Sequence, residues 1–509
     1  MDGSSSNLGR QIAVGAGWMV LMRLLVRAIG LVSTIILARL LLPEDFGLVA
    51  LSTSVVFAVE ILGQFSFDMA LIRDGKATRA HYDTAWTLAV LKGLIVAAII
   101  VAMAEPMRLV FGDPRLPAIL YCLAAATAVD GFQNVGIVNF RKEMQFGREF
   151  AFMVTQKLIG FCVTLTLALL WREYWALVGG IVIGSVSGTI LTYLMHSYRP
   201  RFCLQEWRSL LGFSKWLLLN NVLQFFAARV DVFVIGRSFG AHDLGIYNLA
   251  SEIAALPTTE LAAPIQRATY PGFAKISENI EGLRASYIDA VSLLLLLAVP
   301  AAAGIAVLGD PIVRLLLGPN WLDAIPLLQI LALHGIIRLG GTNTGAVLLA
   351  LGRPKTITKL AALNLAVLVP SFIVGIWAGG LVGAAWAVVA SSCVTMIWSF
   401  VITLRAIKLS AGRLFAAIWR TWLSAAVMAA VVYAVLFAWA SPWLMLPISQ
   451  VAAGVSVGAV VYVAVHLALW RISGRPRGAE SMTLGAIASL RRGAPGSAVL
   501  TSPATTHEA

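Results

Sequence analysis

Two arginines stand inside the first long apolar stretch of the sequence, and no acidic residue accompanies them. Arg23 and Arg27 are four residues apart within residues 15–37, so a helix would place both side chains on one face. A guanidinium keeps its proton, and placing it among lipid tails costs at least about 2.5 kcal/mol on the mildest insertion scale. The pair therefore predicts a water-filled cavity in which the protein binds a negatively charged group.

Polar and charged residues inside other apolar stretches leave two interpretations open. They either line the same cavity or pair with one another and join helices. Arg338 stands in HGIIRLGGTNTG, whose glycines predict a broken helix of the kind that lines transporter cavities. Near Arg229, two asparagines and a glutamine of the same predicted helix favour contact with sugar. The candidate substrate-binding residues are Arg23, Arg27, Arg229, Arg338, Arg267, Asn220, Asn221 and Gln224.

A second set of charged residues is assigned to ion coupling or to ion pairs between helices. The sequence has no G-x-x-x-x-G-K-[ST] loop, so transport would draw on an ion gradient or on consumption of the product. Lys92 and Lys157 are expected to pair with Asp130 or Glu60. We expect no catalytic residue, no metal site and no cofactor other than a coupling H⁺ or Na⁺. The set comprises Asp130, Glu252, Glu260, Glu60, Asp231, Lys92 and Lys157.

The elements that must position these residues are long apolar segments. The chain of 509 residues is 59% hydrophobic and only 12% charged, which is typical of an integral membrane protein. A helix of about 20 residues crosses the hydrocarbon core. The sequence predicts an all-α membrane protein with about fourteen transmembrane helices, at residues 15–37, 47–67, 83–103, 116–138, 150–170, 175–197, 216–236, 246–268, 286–308, 324–350, 357–378, 381–404, 421–440 and 447–470.

Charges outside the spans predict the orientation of the chain. Lys and Arg concentrate in both tails and in the links on one side, as at Arg73, Lys76 and Arg79, so both termini are predicted to be cytoplasmic. The net charge of +13 thus reflects topology and does not predict nucleic-acid binding. The four cysteines have no paired spacing, which argues against disulfides and metal sites. A glycine every fourth residue in the sixth span predicts close helix packing, at Gly180, Gly184 and Gly188.

An internal repeat relates the two halves of the chain. ARLLLPEDFGLVAL recurs without a gap as GRSFGAHDLGIYNL, which pairs Gly47 with Gly245 and predicts two parallel six-helix lobes. The arginine pair is not repeated, because Arg23 aligns with Asn221. We therefore expect the first lobe to hold a phosphate group and the second to meet sugar. The predicted divisions are an N-terminal tail (1–14), an N-lobe (15–197), a cytoplasmic link (198–215), a C-lobe (216–404), two added spans (421–470) and a disordered cytoplasmic tail (471–509).

Three stretches, LARLLLPEDFGLVAL, NFRKEMQFGREF and RVDVFVIGRSFG, resemble the polysaccharide transporter family. This is the Wzx- and ExoT-like branch of the multidrug/oligosaccharidyl-lipid/polysaccharide flippase superfamily. The resemblance implies a V-shaped bundle of two pseudo-symmetric six-helix lobes with two extra C-terminal helices. It also implies alternating access that moves undecaprenyl-diphosphate-linked oligosaccharide units across the bacterial inner membrane, for exopolysaccharide or lipopolysaccharide biosynthesis. Arginines in the cavity would then contact the diphosphate through forked hydrogen bonds.

Alternative functions remain open at this point. A multidrug or cation antiporter of the same superfamily would favour acidic residues in the first span, where only arginines occur. A peptidoglycan-precursor flippase is a further alternative, because its substrate also carries a diphosphate. A membrane polymerase would need a large outward loop or an intramembrane His/Asp cluster, and the sequence has neither. The expected partners are the lipid-linked oligosaccharide and membrane lipids, together with a polysaccharide polymerase and chain-length or export proteins.

Overall fold

The computed structural model describes residues 2–61, 71–72, 77–207, 215–438, 446–476, 478–483 and 485. Side chains are described within these ranges except at residues 2–13, 16, 215–221, 261–268, 270 and 342. Every regular element in these ranges is a helix, so the predicted all-α class is confirmed. The helices are α1 (Asp2–Leu40), α2 (Pro43–Glu60), α3 (Arg79–Phe111), α4 (Leu116–Asp130), α5 (Val138–Lys142), α6 (Phe146–Trp171), α7 (Trp175–Met195), α8 (Lys215–Lys275), α9 (Ile280–Val307), α10 (Gly309–Leu316), α11 (Ala324–Ala350), α12 (Pro354–Ala406), α13 (Ala411–Ala438) and α14 (Pro447–Ile472).

Helix length and composition define a multi-pass membrane protein. Within the described ranges, nine helices are long and apolar enough to cross a membrane, and α4 with α5 would make a tenth. Two of the long helices each cover two predicted spans. Glycines break them, Gly240 in α8 (φ 81°) and Gly380 in α12 (φ 59°), since a positive φ is readily adopted only by glycine. The exact count of fourteen spans stays a prediction.

The chain divides into two compact units. The first comprises Met1–Leu249 and Leu316–Asp323, and the second comprises Ala250–Leu315 and Ala324–Ala509. The lobe boundaries expected from the sequence stay a prediction. In the second unit, α9 carries a continuous buried core that includes Tyr287, Leu294 and Ala298.

The glycine stripe of α7 packs against α6 in the first unit, as the sequence predicts. A Cβ on Gly180 would overlap the side chain of Thr164, and a Cβ on Gly188 would overlap the side chain of Gln156. Between them, a Cβ on Gly184 would lie 3.8 Å from the Cα atom of Gly160. The absence of side chains along α7 therefore allows the two helices to approach closely.

The segment after α7 is tied to the side of α3 by hydrogen bonds. The backbone N–H of Arg201 donates to the buried carboxylate of Asp83 at 2.8 Å, and that of Cys203 donates to the hydroxyl of Thr87 at 2.9 Å. The hydroxyl of Tyr198 also donates to Asp83, at 2.5 Å. Residues 198–203 thus follow α3 without forming a helix of their own.

The prediction of disorder throughout residues 471–509 is wrong for the first part of this tail. Residues 478–483 are mainly helical, and the side chain of Glu480 is only 5% exposed. Arg420 of α13, which is equally buried, donates to the Glu480 carboxylate at 2.8 and 3.0 Å. The residues from 486 onward lie outside the described part of the chain. A buried ion pair with two hydrogen bonds supplies the order that composition alone does not predict.

Candidate functional site

The two arginines of α1 lie on the inward side of their helix. Arg23 and Arg27 are half-buried, and each of them interacts with another residue of the protein. The apolar side chains on the opposite side of α1 are exposed, as at Leu21, Leu25 and Val32. The helix therefore presents its apolar side to lipid and its arginines toward the first unit, as expected for charges that avoid hydrocarbon.

Arg229 and Asp231 lie near each other in the first unit. The Arg229 guanidinium carbon is 5.9 Å from the ring centroid of Phe57 and is close enough to Asp231 for electrostatic attraction. The Asp231 carboxylate accepts a hydrogen bond from the backbone N–H of Val232 at 2.8 Å. Gln224, on the same helix, is exposed. Three other candidates lie outside the residues whose side chains are described, namely Asn220, Asn221 and Arg267.

The structure brings Glu60, Lys92 and Asp130 together. A Cβ on Gly93 would lie 3.0 Å from the Cα atom of Gly131, so α3 and α4 cross closely beside Lys92 and Asp130. Glu60 of α2 interacts electrostatically with both of these residues. Lys157 does not join this cluster, since it has no hydrogen bond or ion pair among the described residues.

The helix break expected near Arg338 is absent, and a different span is broken instead. Residues 334–345 are helical throughout, and Arg338 is exposed on α11. The glycines here serve close packing, since a Cβ on Gly340 would lie 3.0 Å from the sulfur of Met396. The observed break follows α4, where the chain bends by 64° between Leu116–Asp130 and Val135–Lys142. Glu252 and Glu260 are half-buried on α8, and each has an interaction partner.

Sequence reasoning missed a polar network around the first repeated turn. Arg115, in the link before α4, donates to Glu44 at 2.5 Å and to Asp113 at 2.7 Å. Asp45 accepts from the backbone N–H groups of Leu42 at 2.9 Å and Tyr174 at 3.0 Å. Burial raises the pKa of Asp45, and these two hydrogen bonds only partly oppose that effect. Glu44 and Asp45, which follow Pro43, could have indicated this network, because carboxylates favour the N-terminus of a helix.

The two copies of the repeated turn contact each other reciprocally. A Cβ on Gly47 would overlap the carbonyl oxygen of Ala241, and a Cβ on Gly245 would overlap the carbonyl oxygen of Pro43. Gly47 aligns with Gly245 and Pro43 with Ala241, so the same pair of positions meets twice. Reciprocal contact of equivalent residues is the signature of a two-fold relation.

Comparison with solved structures defines the class of fold. A lipid II flippase in an inward closed conformation superposes with a TM-score of 0.72 at 15% identity, over 89% of this chain and 98% of that chain. An inward-facing multidrug resistance transporter of the MATE family, in the MOP superfamily, gives a TM-score of 0.60 at 18% identity, over 75% of this chain and 94% of that chain. The fold is that of the transporters to which these two proteins belong.

Comparison of sequences then assigns the family. The family model described as "Polysaccharide biosynthesis protein" matches residues 36–326, and the chain belongs to this family. A lipopolysaccharide biosynthesis protein, WzxC of Escherichia coli K12, is 25% identical over 80% of this chain and 84% of its own length. The succinoglycan biosynthesis transport protein ExoT of Rhizobium meliloti is 25% identical over 67% of this chain and 71% of its own length. The teichuronic acid biosynthesis protein TuaB of Bacillus subtilis is 24% identical over 83% of this chain and 88% of its own length.

Proposed function

We propose that this protein is a flippase that moves lipid-linked oligosaccharide units from one leaflet of the bacterial inner membrane to the other. The relatives named above are proteins of lipopolysaccharide, teichuronic acid and succinoglycan biosynthesis, and the fold is shared with a lipid II flippase and a multidrug transporter. The carrying observation is the inward placement of Arg23 and Arg27 in a lipid-exposed helix without acidic residues between positions 15 and 40. The substrate that fits is an undecaprenyl-diphosphate-linked oligosaccharide.

The mechanism assigns separate tasks to separate parts of the substrate. The diphosphate binds Arg23 and Arg27, because guanidinium groups form forked, charge-assisted hydrogen bonds to phosphate oxygens. The glycan enters a polar cavity to which Arg229 and Gln224 contribute. The lipid tail stays in the bilayer, so the protein moves only the polar part across the hydrocarbon core. Alternating access then releases the diphosphate at the opposite leaflet.

Coupling and orientation complete the proposal. The termini lie in the cytoplasm, because the basic links and tails stay on that side. The Glu60–Lys92–Asp130 cluster, with two carboxylates and one ammonium group, is the favoured place for a coupling H⁺ or Na⁺. A polysaccharide polymerase and chain-length or export proteins would consume the translocated units.

The test replaces the arginines in a strain that lacks the chromosomal copy. Arg23→Ala/Arg27→Ala should abolish surface polysaccharide, cause inward-facing lipid-linked units to accumulate and leave the amount of protein in the membrane unchanged. Arg23→Lys/Arg27→Lys should retain part of the export. Arg108→Ala is the matched control, because Arg108 is exposed at the end of α3 and pairs with Glu105. Wild-type export by the double alanine variant would contradict the proposal.

A further inference from the structure

The strap of residues 198–207, which follows α7, lies at one boundary of the membrane. Helix α7 has 21 residues, so it is about 32 Å long, close to the hydrocarbon thickness of roughly 30 Å. The strap runs beside the polar first turns of α3. Beyond these turns, residues 88–104 of α3 cover about 26 Å before the helix reaches Glu105. Both helices therefore place the strap where hydrocarbon gives way to lipid headgroups.

Backbone hydrogen bonds fix the depth of the strap along α3. The N–H of Arg201 donates to Asp83 at 2.8 Å, and the N–H of Cys203 donates one turn further along the helix, to Thr87, at 2.9 Å. The N–H of Glu206 then donates to a threonine hydroxyl of the preceding turn at 3.4 Å, so the chain returns. One helical turn is about 5.4 Å, and the strap thus dips toward the hydrocarbon by this amount and is deepest near Cys203.

The side chains beside this deepest point are apolar and exposed. Phe202 is 72% exposed and Leu204 is 49% exposed, although the neighbouring backbone is tied to α3. The ring of Phe202 lies 4.9 Å from the ring of Trp86, which is buried. Tryptophan is enriched at the membrane boundary. Phe202 and Leu204 are therefore placed to contact acyl chains.

The side chains nearer the start of α3 are cationic. Arg79, Arg199 and Arg201 are all exposed. The Arg79 guanidinium donates to the carbonyl oxygen of Arg199 at 3.4 Å, which places these two residues together beside the first turn of α3. The Arg199 guanidinium donates to the carbonyl oxygens of His196 and Tyr198 at 2.8 and 2.9 Å, respectively. Backbone carbonyls hold the group in place but leave its charge uncompensated.

The carboxylates of this region are engaged elsewhere. Asp83 is buried, accepts from a tyrosine hydroxyl and a backbone N–H of the strap, and lies 3.6 Å from Arg79. Glu206 lies 3.7 Å from the imidazole of His81. Within the described part of the chain, neither Arg199 nor Arg201 forms an ion pair. The strap therefore keeps two positive charges for an anion from outside the chain.

We infer that the strap binds an anionic phospholipid, whose phosphate contacts Arg199 and Arg201 and whose acyl chains pack on Phe202. The cations and the apolar ring follow one another in depth as the phosphate and chains of a phospholipid do, and apolar anchors enter this boundary by about 5–10 Å. A zwitterionic lipid offsets its phosphate with its own ammonium group, whereas phosphatidylglycerol keeps a net negative charge for the arginines. This lipid stays at the boundary and is not the transported substrate, so the inference goes beyond the proposed function.

Native mass spectrometry of the purified full-length protein measures the affinity of the first bound lipid, with dioleoyl-phosphatidylglycerol and dioleoyl-phosphatidylcholine as probes. Each arginine near an anionic headgroup contributes about fivefold, so Arg199→Gln/Arg201→Gln should weaken binding of phosphatidylglycerol by roughly tenfold or more and leave phosphatidylcholine unchanged. Phe202→Ser should weaken binding of both lipids alike. Arg353→Gln/Lys355→Gln is the matched control, because it removes two exposed cations at the start of α12 and should change neither affinity.

The single variant Arg201→Gln keeps the test decisive if the double variant does not fold. Its guanidinium has no hydrogen bond or ion pair within the described ranges, and its loss should weaken phosphatidylglycerol binding about fivefold. Size-exclusion profiles and thermal unfolding show whether each variant is folded.

Three results would overturn the inference. The first is equal affinity of the glutamine variants and the wild type for phosphatidylglycerol. The second is an equal loss in the control variant, which would remove the assignment to the strap. The third is displacement of the lipid by inorganic phosphate alone, which would assign the arginines to a soluble anion. The proposed flippase function does not depend on any of them.

Discussion

Adding a methyl group at the crossing of the two repeated turns should weaken the fold by an amount that the structure defines. In Gly47→Ala, the new Cβ would overlap the carbonyl oxygen of Ala241 and lie 2.7 Å from the backbone nitrogen of Gly245. The obstructing atoms belong to the backbone, so no change of rotamer relieves them. Overpacking of this kind costs about 3 kcal/mol, whereas exchanging glycine for alanine in a helix gains about 1 kcal/mol. The expected net loss is about 2 kcal/mol.

The second glycine provides an internal check, because it makes the reciprocal contact. Gly245→Ala should lose a similar amount, since its Cβ would overlap the carbonyl oxygen of Pro43. If the two segments move apart far enough for one methyl group, the same movement also makes room for the other. The double variant should therefore lose less free energy of unfolding than the sum of the two single losses. Gly30→Ala is the control, because its Cβ would have no neighbour within 4 Å.

Equilibrium unfolding of the purified variants in mixed detergent and SDS gives the free energies needed for this comparison. The expected order of stability places Gly30→Ala at or above the wild type and both crossing variants below it. A Gly47→Ala variant as stable as the wild type would refute the close contact. Strictly additive losses in the double variant would refute the idea that the two glycines share one contact.

Two further predictions concern charges that the structure brings together. Burial opposes ionisation of Glu480, but the two hydrogen bonds from Arg420 and the His466 imidazole 3.4 Å away outweigh it and hold the pKa of Glu480 at about 2. The stabilising effect of Glu480 is therefore present above about pH 4.5 and is lost as the pH falls toward 2. The difference in unfolding free energy between wild type and Glu480→Gln should be roughly 3 kcal/mol at most near pH 6 and shrink with acidification; a difference independent of pH would contradict the assignment. Lys92→Met should destabilise the protein by about 1 kcal/mol, because it leaves the half-buried Glu60 carboxylate uncompensated, and adding Glu60→Gln should restore part of this loss. If Lys92→Met has the same free energy of unfolding as the wild type, Lys92 does not pair with Glu60 or Asp130.

Local sequence patterns predict the features that a single helix or a repeat determines. The glycines of α7 recur every fourth residue, and the structure places them against α6 as expected. Gly240 and Gly380 separate segments that the sequence divides into spans, because a positive φ ends a helix. The break after Asp130 escaped prediction, since residues 116–138 read as one continuous apolar stretch.

Features that depend on distant packing could not be predicted. Lys92 and Lys157 are both lysines in apolar stretches, and only the helices beside them distinguish one from the other. The buried Glu480 pairs with Arg420, which is sixty residues earlier in the chain, and no local sequence pattern predicts this pairing. Composition alone assigned that part of the tail to disorder.

The central claim is that Arg23 and Arg27 hold the diphosphate while the substrate crosses the membrane. Translocation of an undecaprenyl-diphosphate-linked oligosaccharide by purified protein in liposomes tests it most directly, with appearance of the glycan at the opposite leaflet as the signal. The wild-type protein should translocate the lipid, Arg23→Lys/Arg27→Lys should do so more slowly, and Arg23→Ala/Arg27→Ala should fall to the rate of empty liposomes. Equal translocation by the double alanine variant and the wild type would contradict the account.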